Sequence, residues 1–145
     1  YPYYAKRYFE ENNIEIKIYG TIEKNGYFRK STNIEKINFF TLAGQSENYF
    51  CVINYYSDYK NNQIQSEDIM IFEKRKEINA NIFSGEKNIY IVKYEEEIKI
   101  CKLEDTGDYI LVKDLNISSK TVVLGKNDRY KLKIIGKLEK NIRSY

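Results

Sequence analysis

The chain has 145 residues and a formal net charge of +3, with fifteen tyrosines, seven phenylalanines and no histidine. This length fits one domain, for which the usual range is about 100–200 residues, and the aromatic content argues against disorder. The absence of histidine excludes Ser-His-Asp and Cys-His catalysis, His-ligated zinc and HExxH sites, and leaves carboxylate, tyrosine and Ser–Lys chemistry open.

The first thirteen residues differ in pattern from the rest of the chain. Tyr4 and Tyr8 have the four-residue spacing of neighbours on a helix, so we expect residues 1–13 to be either a short helix from about Tyr3 to Glu11 or a linker from a preceding domain. The first residue is Tyr rather than Met, which favours a fragment of a longer protein. Residues 14–145 contain no low-complexity linker, and we predict that they form one domain.

From Ile14 onward, apolar and polar side chains alternate as in half-buried β-strands. We predict that Gly20 ends the first strand and that Asn25-Gly26 forms a type I′ hairpin turn. Further strands are predicted at residues 34–42, 48–53, 68–72, 88–94, 97–103, 109–112, 121–124 and 130–138. Short strands separated at this spacing by turn residues predict a mostly β fold, a small antiparallel sandwich or barrel.

The two cysteines, Cys51 and Cys101, lie inside apolar runs. We expect both to be buried, reduced thiols of a cytoplasmic protein, with a disulfide between them as the alternative. The sequence shows neither a secretory signal nor a run of about 18 apolar residues, so we expect no membrane segment.

Several weak motifs follow one another in a familiar order. They are a strand and glycine followed by a loop (16–26), an aromatic strand leading to a serine (49–58), an Asp before an apolar strand (67–72), an apolar hairpin strand (100–103) and an Ile-Ile-Gly-Lys-Leu strand (134–138). In this order, residues 16–143 resemble the C-terminal domain of the LexA and phage-repressor family. That family joins Ser–Lys self-cleaving domains to a helix-turn-helix module. The resemblance implies a small LexA/signal-peptidase-like β-barrel or β-clip fold.

The resemblance also assigns roles to particular residues. Ser57 takes the position of the nucleophile, and Asn25-Gly26 lies in the segment that corresponds to the cleavage loop. Cys101 stands where the family has the general-base lysine, and a buried thiol is a poor substitute for that base. Because strand side chains alternate, Lys102 should point away from the Cys101 face unless a bulge intervenes. Lys99 should share that face, about 6–7 Å along the strand.

Each of these residues also has a purely structural interpretation. Ser57 is then a turn serine before Asp58, Asn25-Gly26 a hairpin turn, and Cys101 a packed apolar side chain. Ser46 offers an alternative Gly-x-Ser pattern, but it lies farther from the Asp68 strand than the family spacing implies, so Ser57 fits better.

We therefore expect a regulatory and dimerisation domain of a phage-repressor-like transcriptional regulator, a pseudoenzyme whose peptidase site has degenerated. The expected partner is a second copy of the chain, and DNA is reached only through an absent N-terminal helix-turn-helix module. No metal, small-molecule cofactor or membrane partner is expected. Two alternatives stay open. One is an active self-cleaving peptidase with Ser57 as nucleophile and Lys102 or Lys99 as base. The other is a stand-alone nucleic-acid-binding β-barrel module that uses its tyrosines and lysines for stacking and charge.

Overall fold

The computed structural model describes residues 13–31, 36–40, 46–59, 64–78, 88–116 and 120–143. These residues are mostly β, as the sequence predicts, and form ten strands and two short 3₁₀ segments. The strands are β1 (Asn13–Ile22), β2 (Phe28–Lys30), β3 (Lys36–Phe40), β4 (Tyr49–Asn54), β5 (Ile69–Lys74), β6 (Ile89–Tyr94), β7 (Glu97–Asp105), β8 (Tyr109–Asp114), β9 (Val122–Gly125) and β10 (Leu132–Ile142). The 3₁₀ segments are Ser46–Asn48 and Lys126–Lys131.

The ten strands belong to one sheet in the order β2-β1-β4-β5-β10-β6-β7-β8-β9, and β3 also pairs with β1. Eight of the nine strand pairs are antiparallel, in keeping with the predicted antiparallel fold. The sheet curls so that β2 at one end approaches β7. In this strand order, β10, the last of the described strands in the sequence, lies in the middle of the sheet between β5 and β6.

The remaining pair, β1 with β4, is parallel and determines where the candidate site lies. Its register places Ile22 beside Asn54, at the ends of the two strands. The backbone N–H of Tyr55 donates to the carbonyl of Ile22 at 2.8 Å, which continues this contact past β4. Because parallel strands end at the same side, the turn that follows β1 meets the segment that follows β4.

The prediction that Gly20 ends the first strand is wrong. β1 continues through Gly20 to Ile22, and its register with β4 shifts between Ile18 and Gly20. A Cβ at position 20 would lie 2.4 Å from both the Phe28 ring and the Arg29 carbonyl oxygen. Glycine therefore allows a close approach inside a bulged strand rather than terminating it.

Buried side chains form three clusters on the curled sheet. The largest contains Phe50, Phe72 and Tyr56, and within it the Phe50 and Phe72 rings stack with centroids 5.5 Å apart. Cys51 belongs to a second cluster and Cys101 to a third. Both cysteines are buried free thiols, as predicted, so the disulfide alternative is not realised.

Other predicted elements lie outside the described residues or differ from the structure. The predicted helix or linker at residues 1–13 lies outside the described residues, except for Asn13, which begins β1. The 3₁₀ segment Lys126–Lys131 was not predicted and occupies part of the expected strand at 130–138, which begins only at Leu132. Among the described residues, no helix has the length and apolar character needed to cross a membrane.

Candidate functional site

Asn54, the last residue of β4, fixes the conformation of the segment that leads to Ser57. Its side chain is completely buried. Nδ2 donates to the carbonyls of Tyr56 and Gln65, each at 2.9 Å, and Oδ1 accepts the backbone N–H of Tyr56 at 3.0 Å. Breaking the hydrogen bonds of a buried amide costs free energy, because its polar groups are then left without partners. Asn54 therefore fixes the orientation of the chain beyond β4.

A second buried polar residue, Asp68, braces the same segment from the other side. Its carboxylate accepts hydrogen bonds from the backbone N–H of Gln65 at 2.8 Å, from Asn141 Nδ2 at 2.7 Å and from Arg143 Nε at 3.2 Å. The backbone N–H of Asn54 donates to the Asp68 carbonyl at 2.9 Å. Asp68 thus connects the end of β10 to the start of β5 and to the candidate site, and its negative charge is compensated by Arg143.

Ser57, the predicted nucleophile, lies on this braced segment with an exposed side chain. Within the described residues its hydroxyl hydrogen-bonds only to Asp58 Oδ1, at 3.5 Å. This contact is at the limit of hydrogen-bond distance and supplies no base. Residues 55–58 form an irregular segment without a hydrogen-bonded turn.

The Asn25-Gly26 turn lies directly against the segment that carries Ser57. Gly26 has φ +88°, and its N–H donates to the Glu23 carbonyl at 2.9 Å, so Lys24 and Asn25 are the central residues of the turn and Gly26 follows them. Asn25 does not have the positive φ that a type I′ turn requires, so the predicted type I′ turn centred on Asn25-Gly26 is wrong. A Cβ on Gly26 would lie 3.0 Å from Tyr56 Cε2 and 2.9 Å from Asn116 Nδ2. The predicted cleavage turn and the residue before the predicted nucleophile are therefore in contact, although they are far apart in sequence.

A cleft of about 480 Å³ opens between this turn and strand β7. Aromatic rings of Phe28, Tyr56 and Tyr59 form one wall, and Tyr56 and Tyr59 meet edge to face with centroids 4.9 Å apart. Charged side chains from β7 and β8, including Lys99 and Asp114, form another. The cleft combines apolar rings with a few polar groups, which is the usual composition of a binding site in proteins.

Strand β7 places Cys101 and Lys102 on opposite faces, as predicted from alternation. Ile100 packs in the cluster that contains Tyr56, whereas Cys101 packs with Leu103 in a different cluster. Lys102, two residues from Ile100, is on the Ile100 face. Lys102 makes no hydrogen bond or ion pair to Ser57 within the described part of the chain.

The environment of Cys101 holds its thiol in the neutral form. Burial raises the pKa of Cys101, and the carboxylate of Asp114, directly opposite on β8, raises it further. The nearby Tyr59 phenol also has a pKa raised by burial, with smaller contributions from Asp114 and Cys101. Neither group is an available base near neutral pH.

Lys99, the other candidate base, is held by carboxylates. Its Nζ lies 3.5 Å from Glu97 Oε2 and 3.7 Å from Asp114 Oδ2. Burial lowers the pKa of Lys99, but the charges of Asp114 and Glu97 outweigh it, and the net shift is upward. An ammonium stabilised in this way keeps its proton, whereas a general-base lysine must lose it.

Sequence reasoning missed the residues that hold this site together. Asn54 is a lone polar residue at the end of an apolar strand, a pattern that could have marked it as a buried amide. Asp114 and Asn116 carry no such signal and join the site only through the strand pairing. Ser46, the alternative nucleophile, begins the 3₁₀ segment before β4, so it lies at the opposite end of that strand from Ser57.

No protein-family model and no curated protein matches this sequence. The resemblance to the LexA and phage-repressor family stays a prediction from the motifs.

Proposed function

We propose that this chain is the regulatory and self-association domain of a phage-repressor-like transcriptional regulator and that it lacks peptidase activity. The lack of peptidase activity is inferred from the chemical environment of the residues on β7. The position expected to hold the base is a buried neutral thiol, Cys101, and the lysine on the same face, Lys99, is paired with two carboxylates. A Ser–Lys pair needs an unprotonated amine within hydrogen-bond reach of the serine.

In this proposal the domain contributes to DNA binding by bringing two chains together. Dimerisation gives a pair of N-terminal DNA-binding modules two-fold symmetry and raises their effective concentration at paired half-sites. Sedimentation equilibrium of the isolated chain, across a range from about 1 to several hundred micromolar, should show a monomer–dimer equilibrium. A strict monomer over the whole range would overturn the proposal.

The second candidate, self-cleavage, is favoured by one specific contact. Gly26 packs against Tyr56, the residue before Ser57, so the predicted scissile turn is already beside the predicted nucleophile. Attack by Ser57 Oγ on the Asn25 carbonyl would form an ester and release the amine of Gly26, with a lysine taking the serine proton and passing it to that amine.

Incubation near pH 10 discriminates between the two candidates, because it increases the fraction of neutral lysine. If the chain is not a peptidase, mass spectrometry should show that the intact wild type is lost no faster than the intact Ser57→Ala variant. That variant also accounts for any spontaneous reaction of the Asn-Gly bond. Two fragments that form in the wild type but not in Ser57→Ala would establish cleavage, and Lys102→Ala and Lys99→Ala would then identify the base.

A further inference from the structure

The outer face of the β8–β9 hairpin exposes a group of apolar side chains. In the register of this hairpin, Leu111 lies opposite Val123 and Tyr109 lies opposite Gly125. Tyr109 is 54% exposed and Val123 is 56% exposed, whereas Leu124 on the other face is buried in the core. Open space surrounds the position that a Cβ of Gly125 would occupy. We refer to Tyr109, Leu111, Val123 and Gly125 as the hairpin patch.

The hairpin patch ends at an unprotected strand edge. Among the described residues, β9 pairs with β8 on one side and with no strand on the other. Its sequence from Val122 to Gly125 contains neither charge nor proline. The strand at the other end of the sheet order, β2, carries exposed Arg29 and Lys30. Charged residues on an edge strand prevent pairing with another chain, so β2 is protected in a way that β9 is not.

We propose that β9 is the self-association surface of this protein and that its occupant is β9 of a second copy, paired antiparallel across a two-fold axis. An antiparallel pair of identical strands is self-complementary, which is the requirement for a closed dimer. Pairing makes the two hairpin patches adjacent on one continuous sheet face. Gly125 leaves room on that face for side chains of the second copy.

The charges around the hairpin patch favour a second copy as the occupant. Lys113 Nζ lies 3.1 Å from Glu104 Oε1, and Lys126 Nζ lies 4.0 Å from Asp108 Oδ1. These four charges are thus paired within their own chain, whereas Lys120, just before β9, has no ion pair among the described residues. The pairing of these four charges limits the like-charge repulsion between two identical surfaces, and a strongly charged partner would find little net charge to bind.

The area available predicts a weak dimer. Tyr109, which is 54% exposed, leaves about half of a side chain uncovered that can bury about 150–250 Å². With Val123 it supplies roughly 200 Å² per chain, and the strand backbone adds to this, compared with about 800 Å² per partner in an interface of standard size. We expect a dissociation constant in the micromolar range, so that dimerisation depends on concentration. This inference rests on the self-association part of the proposed function.

The experiment compares the wild type with Val123→Lys and with the matched variant Tyr27→Lys. Val123→Lys places two ammonium groups near the proposed two-fold axis and should raise the dimer dissociation constant at least about tenfold. Tyr27 is 63% exposed and lies in the turn before β2, so Tyr27→Lys adds the same charge outside the hairpin patch and should leave the dimer unchanged. Both positions are exposed, so we expect both variants to fold, and circular dichroism verifies this.

Hydrogen exchange of the wild type provides a second measurement that needs no variant. Outward-facing amides of β9 should exchange more slowly as the protein concentration rises through the dimer range, because pairing places them in hydrogen bonds. A wild-type dimer that Val123→Lys leaves intact, or one whose β9 amides gain no protection, would overturn this interface and leave the self-association proposal standing. A wild type that never dimerises would overturn both.

Discussion

The phenol of Tyr56 donates a 2.9 Å hydrogen bond to Asn116 Oδ1, and the same ring packs against the backbone of Gly26. Tyr56 therefore joins three separate parts of the chain: the β1–β2 turn, the segment after β4 and the residues after β8. Its position depends on Asn54, which holds the Tyr56 backbone through both its N–H and its carbonyl. Substitutions at these contacts should consequently destabilise the part of the fold that forms the cleft.

Gly26→Ala should destabilise the protein by about 2–3 kcal/mol, since an L side chain is strained at φ +88° and its Cβ would press on Tyr56 and Asn116. Gly107→Ala is the matched control: Gly107 has φ +93° but nothing within 4 Å of the added Cβ, so only the backbone cost of about 1 kcal/mol applies. Urea denaturation of both variants measures the difference. Equal losses would mean that the packing of Gly26 against Tyr56 has no energetic consequence.

Asn54→Ala should lower the free energy of unfolding by about 2–4 kcal/mol, because it leaves the buried Tyr56 N–H and two carbonyls without their partner. Asn25→Ala provides the comparison, since the Asn25 side chain is exposed and accepts one hydrogen bond, from Tyr27 N–H at 3.1 Å. We expect a loss of about 0.5–1 kcal/mol there. Denaturation curves that rank the two variants in the opposite order would contradict a positioning role for Asn54.

The turn between β6 and β7 can be stabilised by substitution. Glu95 and Glu96 adopt φ +52° and +66°, the left-handed region that suits Asn and Gly in a two-residue hairpin turn. Glu95→Asn combined with Glu96→Gly should raise the free energy of unfolding by about 1 kcal/mol, and the exposed ion pair of Glu96 with Lys93 that is lost contributes little. Glu97→Asn, in the adjoining strand, should give no gain. Thermal unfolding distinguishes these outcomes.

The buried thiols should make stability fall at alkaline pH. Burial raises the pKa of Cys51 from 9.0 to about 12, so the folded state keeps this proton after the unfolded state has lost it. The stabilisation is complete below about pH 9 and is lost as the pH rises toward about 12. Between about pH 9 and 10.5, the free energy of unfolding of the wild type should fall more steeply than that of Cys51→Ala, by up to about 1.4 kcal/mol per pH unit.

Urea denaturation at stepped pH tests this dependence. Cys101→Ala should reduce the slope in the same way, because the pKa of Cys101 is also raised by burial. The comparison of slopes removes the contribution of the tyrosines, which titrate in all variants. Parallel curves for wild type and both alanine variants would show that the thiols are not protected as the structure implies.

Local sequence features predict most strands but not their partners. Alternation at 97–103 and 109–112 locates β7 and β8 to within two residues at each end, and Asn25-Gly26 marks the location of the β1–β2 turn but not its type. The parallel pairing of β1 with β4 and the central position of β10 involve residues far apart in the chain, and no local pattern encodes them. Gly20 shows the same limit, because its role depends on the Phe28 ring that approaches it.

The candidate site could also be predicted only in part, because local patterns indicate which way a side chain points but not which distant residues it meets. Alternation alone indicates that Cys101 and Lys102 point to opposite faces, and the structure agrees. The carboxylates that hold Lys99 protonated come partly from a neighbouring strand: Glu97 is two residues away, but Asp114 reaches Lys99 only because β8 pairs with β7. Electrostatic environments of this kind follow from tertiary contacts, so the sequence indicates candidate residues but not their protonation states.

The position of β10 constrains how this domain is made in the cell. Synthesis proceeds from the N-terminus, yet the strand from Leu132 to Ile142 inserts between β5 and β6 in the middle of the sheet. While the ribosome still holds this strand in its exit tunnel, β5 and β6 expose edges that β10 will later occupy. The sheet is therefore completed only after the strand Leu132–Ile142 has left the tunnel, and until then the edges of β5 and β6 are open to pairing with other chains.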